Sequence, residues 1–412
     1  MLPTWPELLA DLQSNWMLYC AMPLIAAGIG YVTKILAIRM MFQPLKFIGL
    51  GRLGWQGIIP AKAEVMAEIM HDTLTTRLIK ASDIFGKLDP KRVARELEPP
   101  LLQAVEDITR EVMTHYRPGL WDGMPVALRQ RLIRRIQAEA PGTVEDMMRD
   151  IQNNLGQVFD LKDMMVTNLS RDKELLNRIF QQAGRGEFRF IRNSGIWFGL
   201  GIGCVQAVAW ALTHSPWIMP LFGGFVGWFS DWMALKMVFR PREPKRYLFG
   251  LIRWQGLFLK RRKEVAAEYG ALIAEEVITA HNIFEAALRG PLSDRLFGVI
   301  QKHVQDMVDE QAGMAQPLVV LAVGSESYRQ MKRDIAARLI ERLPETLKHV
   351  EQYADDAMDV RNTLVKKMQE MTAEEFEGVL RPVFEQDEWK LIAVGAVLGF
   401  LVGELQVQIM LS

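Results

Sequence analysis

Lys34 and Asp231 are the residues of this chain best placed to do chemistry, because each interrupts a long apolar segment. An ionisable side chain inside a membrane is costly and marks a functional position by default. The two segments read MPLIAAGIGYVTKILAIRMMFQP at 22–44 and MPLFGGFVGWFSDWMALKMVFRP at 219–241. They align without a gap, so Lys34 and Asp231 hold the same place in two copies of one unit. Two copies packed about a pseudo-twofold axis would bring these positions together as an ion pair. A structural pair, or a lysine snorkelling to the surface, ranks ahead of a lipid-headgroup site. A transport pathway ranks third. Glu404 is a further intramembrane acid, with Gln206, Gln406 and Gln408 in matching apolar segments. A partly exposed or neutral carboxyl is its plainest role.

A second set of residues is basic and flanks the apolar segments. Arg39 and Lys236 are repeat equivalents near the ends of the two matched segments. Arg185, Arg189 and Arg192 precede the next apolar run. Arg242, Lys245, Arg246, Arg253, Lys260, Arg261, Arg262 and Lys263 crowd one short loop. Beside a membrane such residues orient the chain and attract anionic headgroups, at about 1 kcal/mol each. Lys34, Arg39, Asp231, Lys236, Arg246, Arg261, Arg262 and Glu404 are therefore the lipid-headgroup or intramembrane candidates.

Catalytic chemistry finds no foothold. The sequence has no GxxxxGK[ST] phosphate loop, no HExxH and no cysteine cluster. Its six histidines are scattered without metal-ligand spacing. The 23 methionines mostly follow apolar stripes, which reads as packing and not as a copper site. Cys20 and Cys204 fall in apolar runs and read as inert small hydrophobes, without a disulfide framework. We expect no catalytic residue, no metal and no cofactor. Formal net charge is zero, which implies no nucleic-acid partner.

The elements that position these residues follow from hydropathy. No residue from Asn193 to Ser230 carries a formal charge, which leaves room for two spans of about 20 residues. His214-Ser215-Pro216 makes a turn between them. Trp16 to Thr33 is also uncharged, and Leu391 to Ser412 is apolar apart from Glu404 and its glutamines. Four transmembrane helices are expected, near 16–38, 194–213, 217–239 and 389–411. The first has no basic residue before it, and its twin lies mid-chain, so neither reads as a signal peptide. Lys and Arg lie on one side of every span, which puts both polar regions in the cytoplasm and both termini outside.

The polar regions read as helical, with Val65, Ile69, Leu74 and Leu78 at helical spacing. Asp89-Pro90 and Thr372 with Glu375 look like helix starts. Breaks are expected at Pro99-Pro100, Arg117-Pro118-Gly119, Pro141-Gly142, Gly184, Gly290-Pro291 and Pro344. Residues 45–60 and 245–259 lack helical period and suit a short hairpin or a surface loop. The Gly199-x-x-x-Gly203 and Gly399-x-x-x-Gly403 pairs read as close helix packing. The expected segments are 1–44 with the first span, a cytoplasmic domain at 45–192, a membrane hairpin at 193–241, a second cytoplasmic domain at 242–388, and a last span at 389–412.

The matched segments resemble the YheB/YjiN-like family of bacterial membrane proteins, a domain of unknown function. Its pattern runs Gly-aromatic-x-Thr-Asn-x-x-Ala-Ile-x-Met-x-Phe-x-Pro. Here it reads Gly30-Tyr31-Val32-Thr33-Lys34 through Ala37-Ile38 to Met40, Phe42 and Pro44, and recurs from Gly227-Trp228 through Ala234-Leu235 to Met237, Phe239 and Pro241. Lys34 and Asp231 stand where the family has Asn. The resemblance implies an inner-membrane location and brings no established activity.

The expected fold is thus an all-α membrane protein with four transmembrane helices and two repeated cytoplasmic helical domains, with room for a hairpin in each. The favoured function is a non-enzymatic bacterial inner-membrane protein that organises or handles lipid at the cytoplasmic face. Membrane lipids with anionic headgroups are the expected partners, and a homo-oligomer is compatible. The alternative is a small oligomeric transporter or channel that uses the intramembrane charges.

Overall fold

The computed structural model describes residues 5–50, 53–73, 75, 79–116, 118–241, 243–247, 252–313, 324–378 and 388–411. The fold is helical, with two short hairpins. It divides into two compact units. One comprises 1–70, 169–272 and 365–412. The other comprises 71–168 and 273–364. Both polar regions contribute to each unit, so the boundary expected between 45–192 and 242–388 is not the boundary of the units.

The first unit is built on four long apolar helices, Trp16–Phe42, Arg185–Thr213, Ile218–Phe239 and Glu388–Leu411. They are called bundle helices one to four. Among the described residues three helices are long and apolar enough to cross a membrane, namely helices one, two and four. Helix three, 22 residues long, carries Asp231 and Lys236 and is not among them.

Glycines set the packing. A Cβ at Gly30 would meet the backbone of Gly195, and one at Gly199 or Gly203 would meet Ala26 or Pro23. Helices one and two therefore lie backbone against backbone and antiparallel. The other pair repeats this, with Gly227 against Gly395, Gly223 against Gly399, and Gly403 against Pro220. In lipid no hydrophobic force joins helices, so close approach of small residues supplies the dispersion contact. Helices one and three run parallel at the centre. There Met22 packs with Met219 and Val407, and Ala26 and Ile29 pack with Val226.

The same exit follows helices one and three. Gln43–Pro44 and Arg240–Pro241 are both cis. Strand β1 (Ile48–Leu50) pairs antiparallel with β2 (Leu53–Trp55), and β3 (Lys245–Tyr247) with β4 (Ile252–Trp254). The amide of Gly57 returns to the carbonyl of Pro44 at 2.9 Å, and that of Gly256 to Pro241 at 3.0 Å. Asn177 donates to the carbonyl of Phe42 at 2.7 Å, which satisfies one of the acceptors left open at that helix end.

The second unit is a ring of four helices, Pro90–Tyr116, Val126–Asn153, Ser293–Ala312 and Ser325–Met358. Ala104, Ile108 and Val112 form its core with Met331, Ile335 and Leu339. Its one-sided hydrophobic pattern carries the helices through Pro99-Pro100, Pro141 and Pro344, where breaks were expected. Each proline removes one amide and costs about 3 kcal/mol. Pro99 is exposed, and burial of Val93, Ala94, Leu97 and Leu101 on the other face offsets the loss. The breaks at Gly184 and Gly290 do occur. Asp89 and the Thr372–Glu375 box cap helix starts through side-chain bonds of 3.0 Å and 3.2 Å.

Ion pairs line this ring, including Arg342 with Asp107 at 3.1 Å and with Glu111 at 3.0 Å. Burial and the carboxylate of Asp334 push the Tyr116 hydroxyl up to about 12. Between its helices lies a half-open apolar pocket of ≈ 60 Å³, lined by residues such as Ile108, Val144 and Leu339.

Candidate functional site

The centre of the first unit holds the pair that the repeat implies. Lys34 Nζ lies 3.1 Å from Asp231 Oδ1 and donates to the carbonyl of Ser230 at 2.7 Å. Lys34 is 0% exposed and Asp231 4%. Gly195 and Gly395 make the room, since a Cβ at 195 would press on the Lys34 chain and one at 395 on Asp231 Oδ2. Asp231 Oδ2 itself is buried without a hydrogen-bond partner. The pair ties helix one to helix three. It is sealed from both clefts described next, so its geometry is that of a clamp.

The other charges gather at one end of the bundle, where helices one and three finish and helix two begins. Arg39 sits in the last turn of helix one and donates to Gln43 at 3.3 Å. Arg185, Arg189 and Arg192 follow at i, i+4 and i+7 along the start of helix two, which places them on one face. All four line a single cleft of ≈ 410 Å³ with Ile35, Ile38, Phe42 and Phe188. No acidic residue lines it. Glu187 belongs to the same turn but faces away, fully buried, 3.4 Å from Arg261. Arg185, Arg189 and Arg192 make no ion pair among the described residues. The Arg192 Nε atom is buried and has no hydrogen-bond partner. Arg185 also sits at the positive end of a helix dipole, where a cation is disfavoured. The arrangement can therefore attract and hold an anion.

A second cleft of ≈ 760 Å³ lies at the matching place on helix three. Trp232, Lys236 and Arg240 line it where the first cleft has Ile35, Arg39 and Gln43. Lys236 is exposed and lies 4.6 Å from the Trp232 ring centroid, a cation–π contact. Glu243 and Trp254 also line this cleft. The Trp254 indole N–H is buried without a partner, as is that of its equivalent Trp55.

The remaining sequence candidates disperse. Arg261 is engaged inside the chain, by Glu264 at 2.8 Å as well as by Glu187. Its guanidinium bond to Glu264 raises it above the ordinary arginine value. Arg262 opens the helix Arg262–Glu276 and is half-buried. Arg246 is placed by backbone alone, opposite Arg253 in the hairpin. The Arg246 side chain and all of Arg242 lie outside the described residues. Glu404 is half-buried and makes no hydrogen bond among the described residues. Gln206, expected near it, donates instead to Met219 Sδ at 2.8 Å. Cys20 and Cys204 are free and exposed on the bundle helices. Among the described residues no group of His, Cys, Asp and Glu could hold a metal.

Bundle and cleft define a helical membrane protein with a basic end. Its sequence is similar to a UPF0754 membrane protein of Listeria monocytogenes, 34% identical over 93 residues, which is 22% of this chain and 22% of the relative. It is similar also to UPF0754 membrane proteins of Anoxybacillus flavithermus, 37% over 91 residues (22% of this chain, 21% of the relative), and of Bacillus pumilus, 42% over 67 residues (16% and 18%). The matched stretch spans about a fifth of the length of these relatives. These names support kinship with a bacterial membrane family of unknown function and do not carry the YheB/YjiN label. No family model and no solved structure matches the chain.

Proposed function

We propose that this chain is a non-enzymatic protein of the bacterial inner membrane that engages anionic lipid headgroups at the cytoplasmic face. In this reading helix three also crosses, which makes four spans. The two halves are a tandem duplication of the YheB/YjiN-like type, and both termini face the periplasm. Basic residues border one end of the bundle in both halves, as the positive-inside rule requires of a cytoplasmic end. The observation that carries the proposal is the cleft of four arginines with no acid in its lining. A transport role has less support, because Lys34 and Asp231 neutralise each other and neither lines either of the two clefts.

Lipid analysis of the full-length protein purified in a neutral detergent tests this. Retained lipid should be enriched in phosphatidylglycerol and cardiolipin relative to the source membrane. Retained lipid of the same composition as the source membrane would overturn the proposal.

A further inference from the structure

We infer that the cleft lined by Arg39, Arg185, Arg189 and Arg192 is a binding site for the phosphate of one anionic phospholipid. This rests on the headgroup reading above and names the residues that perform it. Four guanidinium groups share one cleft of ≈ 410 Å³, and none of its lining residues is acidic. Like charges that line one cleft beside a low-dielectric phase repel one another, and an anion among them relieves that repulsion. The nearest acid in sequence, Glu187, is turned inward and committed to Arg261. The buried Arg192 Nε is left without an acceptor. A phosphate answers the uncompensated charge of this cleft, because an exposed guanidinium fork matches phosphate geometry through two parallel bonds.

The apolar part of the lining identifies the source of the phosphate. Ile35, Ile38, Phe42 and Phe188 line the cleft beside the arginines. Ile35 is 40% exposed and continues along helix one into Val32, 60% exposed. An apolar wall that runs on into the outer face of the bundle suits an acyl chain and offers nothing to a soluble phosphate ester. Headgroups that carry an ammonium group are disfavoured, since the cleft has no carboxylate to receive it. The preferred ligand is a lipid whose only charge is its phosphate, such as phosphatidylglycerol.

Native mass spectrometry of the full-length protein in neutral detergent, with dioctanoyl lipids added, provides the test. Phosphatidylglycerol should bind more tightly than phosphatidylcholine. Arg39→Gln and Arg189→Gln alter exposed residues on two different helices, and each should weaken phosphatidylglycerol by roughly ten-fold through loss of a charge-assisted hydrogen bond. Arg131→Gln with Arg135→Gln, exposed on the helix Val126–Asn153 and outside the cleft, should leave binding unchanged. A preference lost in that outer variant and kept in both cleft variants would overturn the cleft and leave the headgroup reading standing. No preference in the unaltered protein would overturn both. Equal affinity for chainless glycerol 3-phosphate would overturn the assignment to a lipid.

Discussion

The centre and the basic end of the bundle treat charge in opposite ways. At the centre, repeat-equivalent residues carry opposite signs and meet, so Lys34 is answered by Asp231 and by the carbonyl of Ser230. At the end, the equivalents Arg39 and Lys236 carry the same sign and lie in separate clefts. A charge that must be sealed in a membrane needs its partner in the chain. A charge at the boundary can take its partner from the lipid. Asp11, at the other end of the bundle, is also answered within the chain, accepting from Tyr19, from Asn15 at 2.8 Å and from His214 at 3.1 Å.

The largest effect should come from breaking the central pair. Lys34→Ala or Asp231→Ala leaves one charge buried alone, which costs about 3–5 kcal/mol. Unfolding followed by circular dichroism in detergent should show that loss for each variant. The exchange Lys34→Asp with Asp231→Lys should recover most of it. Losses that simply add in the double alanine variant would mean that the two residues do not act as a pair.

Glycine substitutions come next and separate packed from open positions on the same helices. Gly30→Ala drives a methyl into the Gly195 backbone and should cost about 1–3 kcal/mol. Gly201 and Gly28 have nothing within 4 Å of an added Cβ. Alanine there should be neutral or stabilising by up to about 1 kcal/mol. Equal sensitivity at all of these positions would argue against the close helix pairs.

Asp11 gives a smaller, pH-dependent effect. The hydrogen bond from Tyr19 is the main influence that holds its carboxyl below the usual range. The stability it contributes is present above the unfolded value of about 3.9 and is lost as pH falls through the lowered folded value. Its side chain is 23% exposed, so the contribution stays below about 1 kcal/mol. Asp11→Asn should flatten the acid limb of a melting-temperature profile and change little near pH 7. Smallest of all, Arg185→Gln and Arg189→Gln should shift stability in neutral detergent by no more than about 0.5 kcal/mol. A loss as large as that of Lys34→Ala would show that these arginines, too, are answered within the chain.

Much of the membrane unit was legible in the sequence because the segments 22–44 and 219–241 align residue for residue. Equivalence alone paired Lys34 with Asp231, and the GxxxG spacing at 199–203 and 399–403 marked the close helices. Gaps in helical period at 45–60 and 245–259 marked the hairpins. What escaped depends on tertiary contact. Periodicity says that Pro90–Tyr116 has an apolar face but not which helix covers it, so the joining of both polar regions in one ring was not readable. Proline signals breaks locally, and burial on the far face outweighed it three times. Arg39 and Arg189 lie far apart in the chain, and only the antiparallel packing set by Gly30 and Gly195 brings them to one cleft.

Topology mapping tests the central claim most directly, because helix three must cross if the basic ends of both halves are to share the cytoplasmic face. Reporter fusions placed after Pro118, after Gly290 and after Ser412 distinguish the possibilities. We predict cytoplasmic signal from the first two and periplasmic signal from the third. Cytoplasmic signal after Ser412, or periplasmic signal after Gly290, would contradict the four-span account and remove the second cleft from the face that holds the first.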